Sequence, residues 1–366
     1  MRIEVIHPRE LGQSERARWA ALRAADPDLA SPYLSSGFTI AVGAARADAR
    51  VAIIEDGAAI QGFMPVQRPS PFSAMALGAP ISDYQGLIAA PDLELDARKL
   101  CQALKVGRID VYAVPRQQKL IQGRVYGVND SFVARLGEGG SQAYLKELRA
   151  ARSDTVKKMN RKRNQFAERE GGLEFAVGPA SGAAFRQLMD WSRSKCRQSR
   201  QPPIWETPWV LATLDRLCDS DDPDCRAMLV TDVAGGRLAA VQLLLQSGPV
   251  LHTWIIGHEC AFESYSPGMS LTRRSIEWAA DNGFTEVDLG LGDYRFKRQL
   301  TNHVRHVAYG YLGDSSMAAA VRKLEYDVRR AVEGSAVAMV QRLPGKAMRR
   351  WDTHRALGLI PPRPNA

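Results

Sequence analysis

Residues 265–298 read YSPGMSLTRRSIEWAADNGFTEVDLGLGDYRFKR, and they hold the side chains best suited to chemistry. A loop tipped by Ser266-Pro267-Gly268 opens an amphipathic helix with Leu271, Ile276 and Trp278 as apolar anchors, and Asn282-Gly283 closes it. Pro in a first helical turn and Gly past the last are the expected punctuation. The first N–H groups of a helix have no partner within it, so such a start binds phosphate. A short strand, 285–289, follows. A glycine turn then delivers Asp293, Tyr294, Lys297 and Arg298. An anion cradle beside acid and base side chains suits a transferase that uses a phosphorylated carrier.

The chain around this stretch has 366 residues, enough for two domains. At 45% hydrophobic and 24% charged, its composition is globular. No apolar run approaches the ~20 residues of a membrane span. The opening MRIEVIHPRE lacks the apolar core of a secretory signal. Cys101, Cys196, Cys218, Cys225 and Cys260 form no CxxC, so reduced thiols, a cytoplasmic setting and no metal site are expected. The net charge of +9 attracts phosphates of any origin: a nucleotide carrier, nucleic acid or an anionic membrane face.

The elements read as α/β. In 1–140, helices are expected at 11–25, 36–42 and 95–106. Strands 50–55 and 59–66 form a hairpin across Asp56-Gly57. Gly78 to Gly86 is a polar loop carrying Asp83 and Tyr84. Strands 109–114 and 131–136 complete that part. Residues 141–170 are strongly basic. Ser153-Asp154-Thr155 can start a helix there, with Val156, Met159 and Phe166 as a narrow apolar stripe. That helix reads either as a solvated face or as a basic wall beside an anion. In 172–312, strands are expected at 173–177, 227–233, 237–246, 250–256, 285–289 and 303–312. Helices are expected at 181–197 and 207–218. The tail, 313–366, reads as a helix over 316–343 broken by Pro344-Gly345, with a disordered PPRPNA end. Over 315–366, Lys and Arg exceed Asp and Glu by ten minus four, +6, so the tail can rest on an anionic membrane or a partner. Gly290-Leu291-Gly292 has no third glycine opening a helix, which excludes a dinucleotide fingerprint.

Tyr265-Ser266-Pro267-Gly268, the helix to Gly283 and the segment Asp288-Leu289-Gly290-Leu291-Gly292-Asp293-Tyr294-Arg295-Phe296-Lys297 resemble the cellulose-biosynthesis (CelD-like) branch of the GNAT superfamily of N-acyltransferases. Ser31-Pro32-Tyr33 and Ser82-Asp83-Tyr84 extend the likeness into the first half. The layout is similar to the Fem peptidoglycan-bridge ligases. The resemblance implies two tandem GNAT-like domains, 1–140 and 141–312, with mixed, mostly antiparallel sheets, plus the basic helical tail.

It also implies acyl transfer to an amine. Acetyl-CoA would lie along the strand 250–256 beside Trp254, with its diphosphate on Ser266, Pro267, Gly268, Met269 and Ser270; Arg273 and Arg274 would add charge. The phosphate loop departs from the usual GNAT pattern, being Ser-Pro-Gly rather than glycine-rich. Asp293 is the candidate base, Tyr294 the proton donor to the leaving thiolate and Lys297 the oxyanion partner. His252, Asp83 and Tyr84 are candidate acceptor contacts; His258, Glu259, His303 and His306 are alternatives. The acceptor implied is an amino sugar or glycan precursor in exopolysaccharide, cellulose or holdfast-type biosynthesis. The protein would be cytoplasmic or peripheral at the inner membrane face, touching a polysaccharide synthase through its tail. Two rival readings are a Fem-like aminoacyl-tRNA-dependent transferase and a non-catalytic synthase subunit. No metal is implied, and nucleic acid is the less expected partner.

Overall fold

The computed structural model describes residues 1–366 apart from 91, 123, 314–315, 335–342 and 360–366. The chain divides into two compact units: Met1–Asn129 with Arg200–Thr213 and His306–Ala366, and Asp130–Ser199 with Leu214–Arg305. Each is built on mixed, mostly antiparallel strands with helices between them, an α/β architecture, and the chain ends in helices.

In the first unit, β1 (Arg2–Ile6), β2 (Ala49–Asp56), β3 (Ala59–Ser70) and β4 (Ser73–Ala76) are consecutive antiparallel neighbours, with β5 (Ile88–Ala89) off β3. Next, β6 (Arg108–Pro115) pairs parallel to β4, and helix α3 (Ala97–Ala103) lies between them in the chain. Helices α1 (Gln13–Ala24) and α2 (Ser36–Ala45) lie between β1 and β2 in the chain. Val66, Leu100, Ile109 and Val111 form the core.

The second unit follows the same plan. The strands β8 (Leu173–Pro179), β9 (Arg226–Ala234), β10 (Arg237–Ser247) and β11 (Val250–His258) run antiparallel. Then β12 (Glu286–Leu291) pairs parallel to β11, and α7 (Pro267–Asp281) lies between them. Its other helices are α4 (Gly140–Glu170), α5 (Gly182–Gln198) and α8 (Arg295–Leu300); α6 (Pro208–Cys218) spans the division between the units. Leu271, Ile276 and Ala279 of α7 are fully buried with Leu244, Leu251 and Val287, while Trp278 is only partly covered. At Arg152, φ −149° and ψ 51° break α4 just ahead of Ser153, where the sequence signals a helix start. Val156, Met159 and Phe166 are the buried stripe beyond it.

One strand of each unit comes from an unexpected part of the chain. After β6, the chain makes β7 (Val125–Arg135), whose residues from Ser131 pair with β12 in the second unit. After β12, it makes β13 (His303–Leu312), whose residues from Val307 pair with β6 in the first. The compact units therefore differ from a cut of the chain at 140 and 312. The tail helices α9 (Met317–Glu333) and α10 (Leu343–Leu357) belong to the first unit. Pro344 and Gly345 lie in the first turn of α10 rather than ending a helix, because Pro is compatible with a first turn, where its missing N–H costs no bond. The PPRPNA end lies outside the described residues.

Candidate functional site

The second unit's parallel pairing covers Val250–Glu286, Leu251–Val287 and His252–Asp288, and hydrogen-bonded pairing stops there. Strand β11 continues to His258. It also carries a bulge: Leu243 faces Ile255 and Leu244 faces Thr253, so Trp254 is the extra residue. A bulge bends its strand and re-aims side chains. It also breaks the alternation by which His252 and Trp254 would share a face. Trp254 is half-buried, whereas His252 is completely enclosed.

At this last rung the structure builds a charged network that the sequence did not reveal. Asp288 accepts from Ser131 Oγ (2.9 Å) and the Gly290 N–H (2.7 Å), and Arg305 reaches it at 3.2 Å while bonding both carboxylate oxygens of Glu286 (2.9 and 3.0 Å). His252 Nδ1 is 3.8 Å from Asp288. These residues stabilise the point where the strands part. Contact of His252 with an acceptor is not what this enclosed ring provides.

Helix α7 begins beside the unpaired part of β11. Ser266 precedes it at φ 58° and ψ 54°, and among the described residues its side chain caps no helix amide. Pro267 has no N–H. The Ser270 N–H donates to the Ser266 carbonyl (3.1 Å), which removes it from the expected cradle and leaves Gly268 and Met269 as the amides at the open end. A methyl on Gly268 would meet only Ile256 Cδ1 (3.4 Å) and His258 Nδ1 (3.6 Å) at ordinary contact distance. The local fold does not itself require glycine there; close approach of a ligand would. In the first unit, α3 differs at the corresponding place, because the Asp96 carboxylate accepts from the Arg98 N–H. An acid at a helix start occupies the place of an anion.

Around the start of α7 is a shallow notch lined by Met159, Lys162, Arg163, Tyr265, Ser266, Met269, Ser270, Arg273 and Arg274. Its four cations face no acid in the lining. Lys162 donates to Ser266 Oγ (2.9 Å), and one turn later Phe166 stacks on Tyr265 (4.6 Å between centroids). Arg273 is held by Glu277 (2.5 Å) and Asn160 (2.7 Å), and Arg274 by Asp232 (2.6 Å). Burial pushes the Asp232 carboxyl up to about 6, against the pull of Arg274 and Arg163. Burial likewise lowers the imidazole of His258. The sequence flagged the basic run of α4; it did not show that only Lys162 and Arg163 turn toward the cradle.

None of Asp293, Tyr294 and Lys297 lines this notch. Asp293 is exposed and pairs with Arg298 at 3.1 Å, and Tyr294 is 62% exposed. Lys297 lies on α8 rather than in a loop, is buried, and donates to the carbonyls of Gly290 (3.1 Å) and Leu291 (2.6 Å). Its ammonium holds the glycine turn in shape. In the first unit Asp83 is half-buried and Tyr84 is 1% exposed, so the phenol is a core side chain rather than a ligand contact. No cluster suited to a metal ion, and no helix long and apolar enough to cross a membrane, occurs among the described residues.

Residues 153–298 match the acetyltransferase (GNAT) domain family. No curated protein matches the chain. Solved structures of low sequence identity are similar to the chain in fold. The C-terminal domain (DUF2156) of a protein from Agrobacterium fabrum assigned as a lysylphosphatidylglycerol synthetase is 12% identical, with 84% of this chain and 94% of that chain covered at a TM-score of 0.50. A tandem GNAT protein from the clavulanic acid biosynthesis pathway is 9% identical, covering 86% and 99% at 0.48. FemX is 10% identical, covering 84% and 96% at 0.48. Residues 153–298 thus carry a GNAT-type acyltransferase fold.

Proposed function

We propose that the second unit is an acetyl-CoA-dependent N-acyltransferase acting on an amino sugar or glycan precursor. The observation that carries this reading is the open start of α7: two amides, a glycine that sterics do not demand, and Lys162, Arg163, Arg273 and Arg274 around them. That set fits a diphosphate, whose charge the helix dipole also favours. Acetyl-CoA would supply an acyl group activated as a thioester. Gly268 and Met269 bind the diphosphate, and the unpaired edge of β11 beside Trp254 orients the chain that follows it.

Transfer to an amine forms a C–N bond and breaks the C–S bond; the amine loses a proton and the thiolate gains one. Asp293 is the group assigned to hold and accept the amine proton, and Tyr294 the group assigned to return one to sulfur. Lys297 positions both by pinning the turn they share, and its charge favours negative charge developing nearby. The sugar acceptor rests on the resemblance of the Ser-Pro-Gly and Asp288–Lys297 segments to the CelD-like branch.

Titration of acetyl-CoA into the protein, followed by thiol release with glucosamine-type acceptors, tests this reading. Micromolar binding lost in Arg274→Ala, with turnover lost in Asp293→Asn, is expected. Absence of acetyl-CoA binding overturns it. One observation favours a second reading: Lys157, Lys158, Arg161 and Arg169 of α4 are exposed, as a site for the RNA of an aminoacyl-tRNA donor requires. Binding of tRNA with a steep salt dependence would select it.

A further inference from the structure

The first unit holds a feature that this reading does not use. Arg124, Val125, Tyr126, Tyr311, Gly313, Lys323, Asp327 and Arg330 line an open cleft of about 490 Å³. Its floor is aromatic. Tyr326, 4% exposed, stacks under Tyr126 at 4.2 Å and 13°, and Tyr126 lies near-parallel to Tyr311 at 5.7 Å and 20°. Two glycines make that floor possible: a Cβ on Gly127 would overlap the Tyr309 ring, and one on Gly310 would overlap the Arg124 carbonyl.

Cations converge on this flat wall. The Arg330 guanidinium lies 5.3 Å from the Tyr126 ring centre, and Lys323 and Arg124 share the lining. The lining carries three cations and one acid, three minus one, +2. That acid, Asp327, pairs with Lys323 at 2.6 Å on the surface, and exposed pairs open readily. Like charges gathered at one cleft favour an anion between them, and arginine matches phosphate oxygens in pairs. Tyrosine rings give a sugar or base a flat surface to lie on.

We propose that this cleft binds a phosphate carried on a sugar ring, with the phosphate on Arg124 and Arg330 and the ring against Tyr126 and Tyr311. A sugar phosphate and a nucleotide share that chemistry. The proposal rests on the first unit alone and stands or falls independently of the acyltransferase reading.

The test is calorimetric titration of the full chain with glucose 6-phosphate, AMP and inorganic phosphate, for wild type, Arg330→Ala, Arg124→Ala and Tyr311→Leu. Expected is binding of at least one ring-bearing phosphate, at least tenfold tighter than inorganic phosphate. Each arginine variant should weaken it at least tenfold, with acetyl-CoA titration unchanged. Preference for glucose 6-phosphate or for AMP identifies the source. Tyr311→Leu should reduce ring-bearing ligands to the affinity of inorganic phosphate. Variants are compared at equal thermal midpoints; if Arg330→Ala does not fold, Arg124→Ala and Tyr311→Leu decide. No binding at millimolar concentration, equal affinity for inorganic phosphate, or unchanged affinity in the folded variants overturns the proposal.

Discussion

The Lys162 ammonium donates to Ser266 Oγ at 2.9 Å, and this bond joins the basic helix α4 to the residue that begins α7. Ser266 is a non-glycine residue at φ 58°, a conformation that side chains resist. Lys162 and the Phe166–Tyr265 stack one turn away fix that loop. Lys162→Met should therefore remove a charge and loosen the cradle together. A charge-assisted hydrogen bond contributes about 1.5–3 kcal/mol. Acetyl-CoA affinity should fall roughly ten- to a hundredfold, with Ser266→Ala falling less because the charge stays. Equal affinities in the wild type and Lys162→Met would show that the basic helix has no part in binding.

Gly268 gives a sharper separation of folding from binding. A methyl there would touch Ile256 and His258 without overlap. Gly268→Ala should keep or slightly raise the thermal midpoint, since alanine favours a helix by about 1 kcal/mol over glycine. The same methyl would stand where the diphosphate approaches the amides. Retained stability with acetyl-CoA affinity reduced at least tenfold is the expected pair of results. Calorimetry and thermal unfolding on one sample check both.

The Asp232–Arg274 pair sets a pH dependence on the cradle. Burial raises Asp232 to about 6, so it is mostly ionised at pH 7 and mostly protonated at pH 5. Ionised, it draws Arg274 away from an incoming phosphate; protonated, it no longer offsets that charge. Asp232→Asn should bind acetyl-CoA several-fold tighter than wild type at pH 7.5. The gap should close as pH falls through 6, because the wild type then loses the same charge. Comparing the two proteins at each pH cancels the titration of the ligand's own phosphates. A constant gap between pH 5 and 7.5 would place the effect elsewhere.

The tail helices rest on buried charge. Arg322, 1% exposed, reaches Asp110 (2.8 Å), Asp352 (2.7 Å) and Glu325 (2.9 Å), and Arg108 and Arg355 also face Asp110. Burial opposes ionisation of Asp110, yet Arg322 leads the three guanidiniums that hold it below the usual carboxylate range. Removing one partner of a buried pair costs about 3–5 kcal/mol, because the other charge is left uncompensated. Arg322→Met should destabilise the protein by that order in chemical denaturation. Combining it with Asp110→Asn should cost less than the single change. By sign, Asp110 contributes its stabilisation above its ordinary value near 3.8 and loses it as pH falls through the lowered one.

Local signals were legible where they act within a few residues. Pro267-Gly268 and Asn282-Gly283 bound α7, with Gly283 at φ 78°, and Ser153 follows the break in α4. Relations between distant residues were not. Nothing in 131–136 states that β7 joins β12, nor in 303–312 that β13 joins β6, because pairing partners are chosen by burial across the whole sheet. The Trp254 bulge is a register shift between strands and leaves no mark in either one. Asp288 and Arg305 look like surface charges until Ser131 and Glu286 enclose them. The helical position of Lys297 was hidden by the glycines before it.

Asp293 and Lys297 lie four residues apart and should respond differently to mutation. Asp293 is exposed and pairs only at the surface with Arg298, so its removal should barely alter stability; exposed pairs contribute about 0–1 kcal/mol. If it takes the amine proton, Asp293→Asn should lower kcat at least a hundredfold with the acetyl-CoA affinity intact. Lys297 is buried and bonds the carbonyls of Gly290 and Leu291. Lys297→Met strips those carbonyls of a donor, so both the thermal midpoint and kcat should fall, and Lys297→Arg should recover the first better than the second. Wild-type turnover in Asp293→Asn would move the base elsewhere, with His258 and Glu259 at the end of β11 the next to replace.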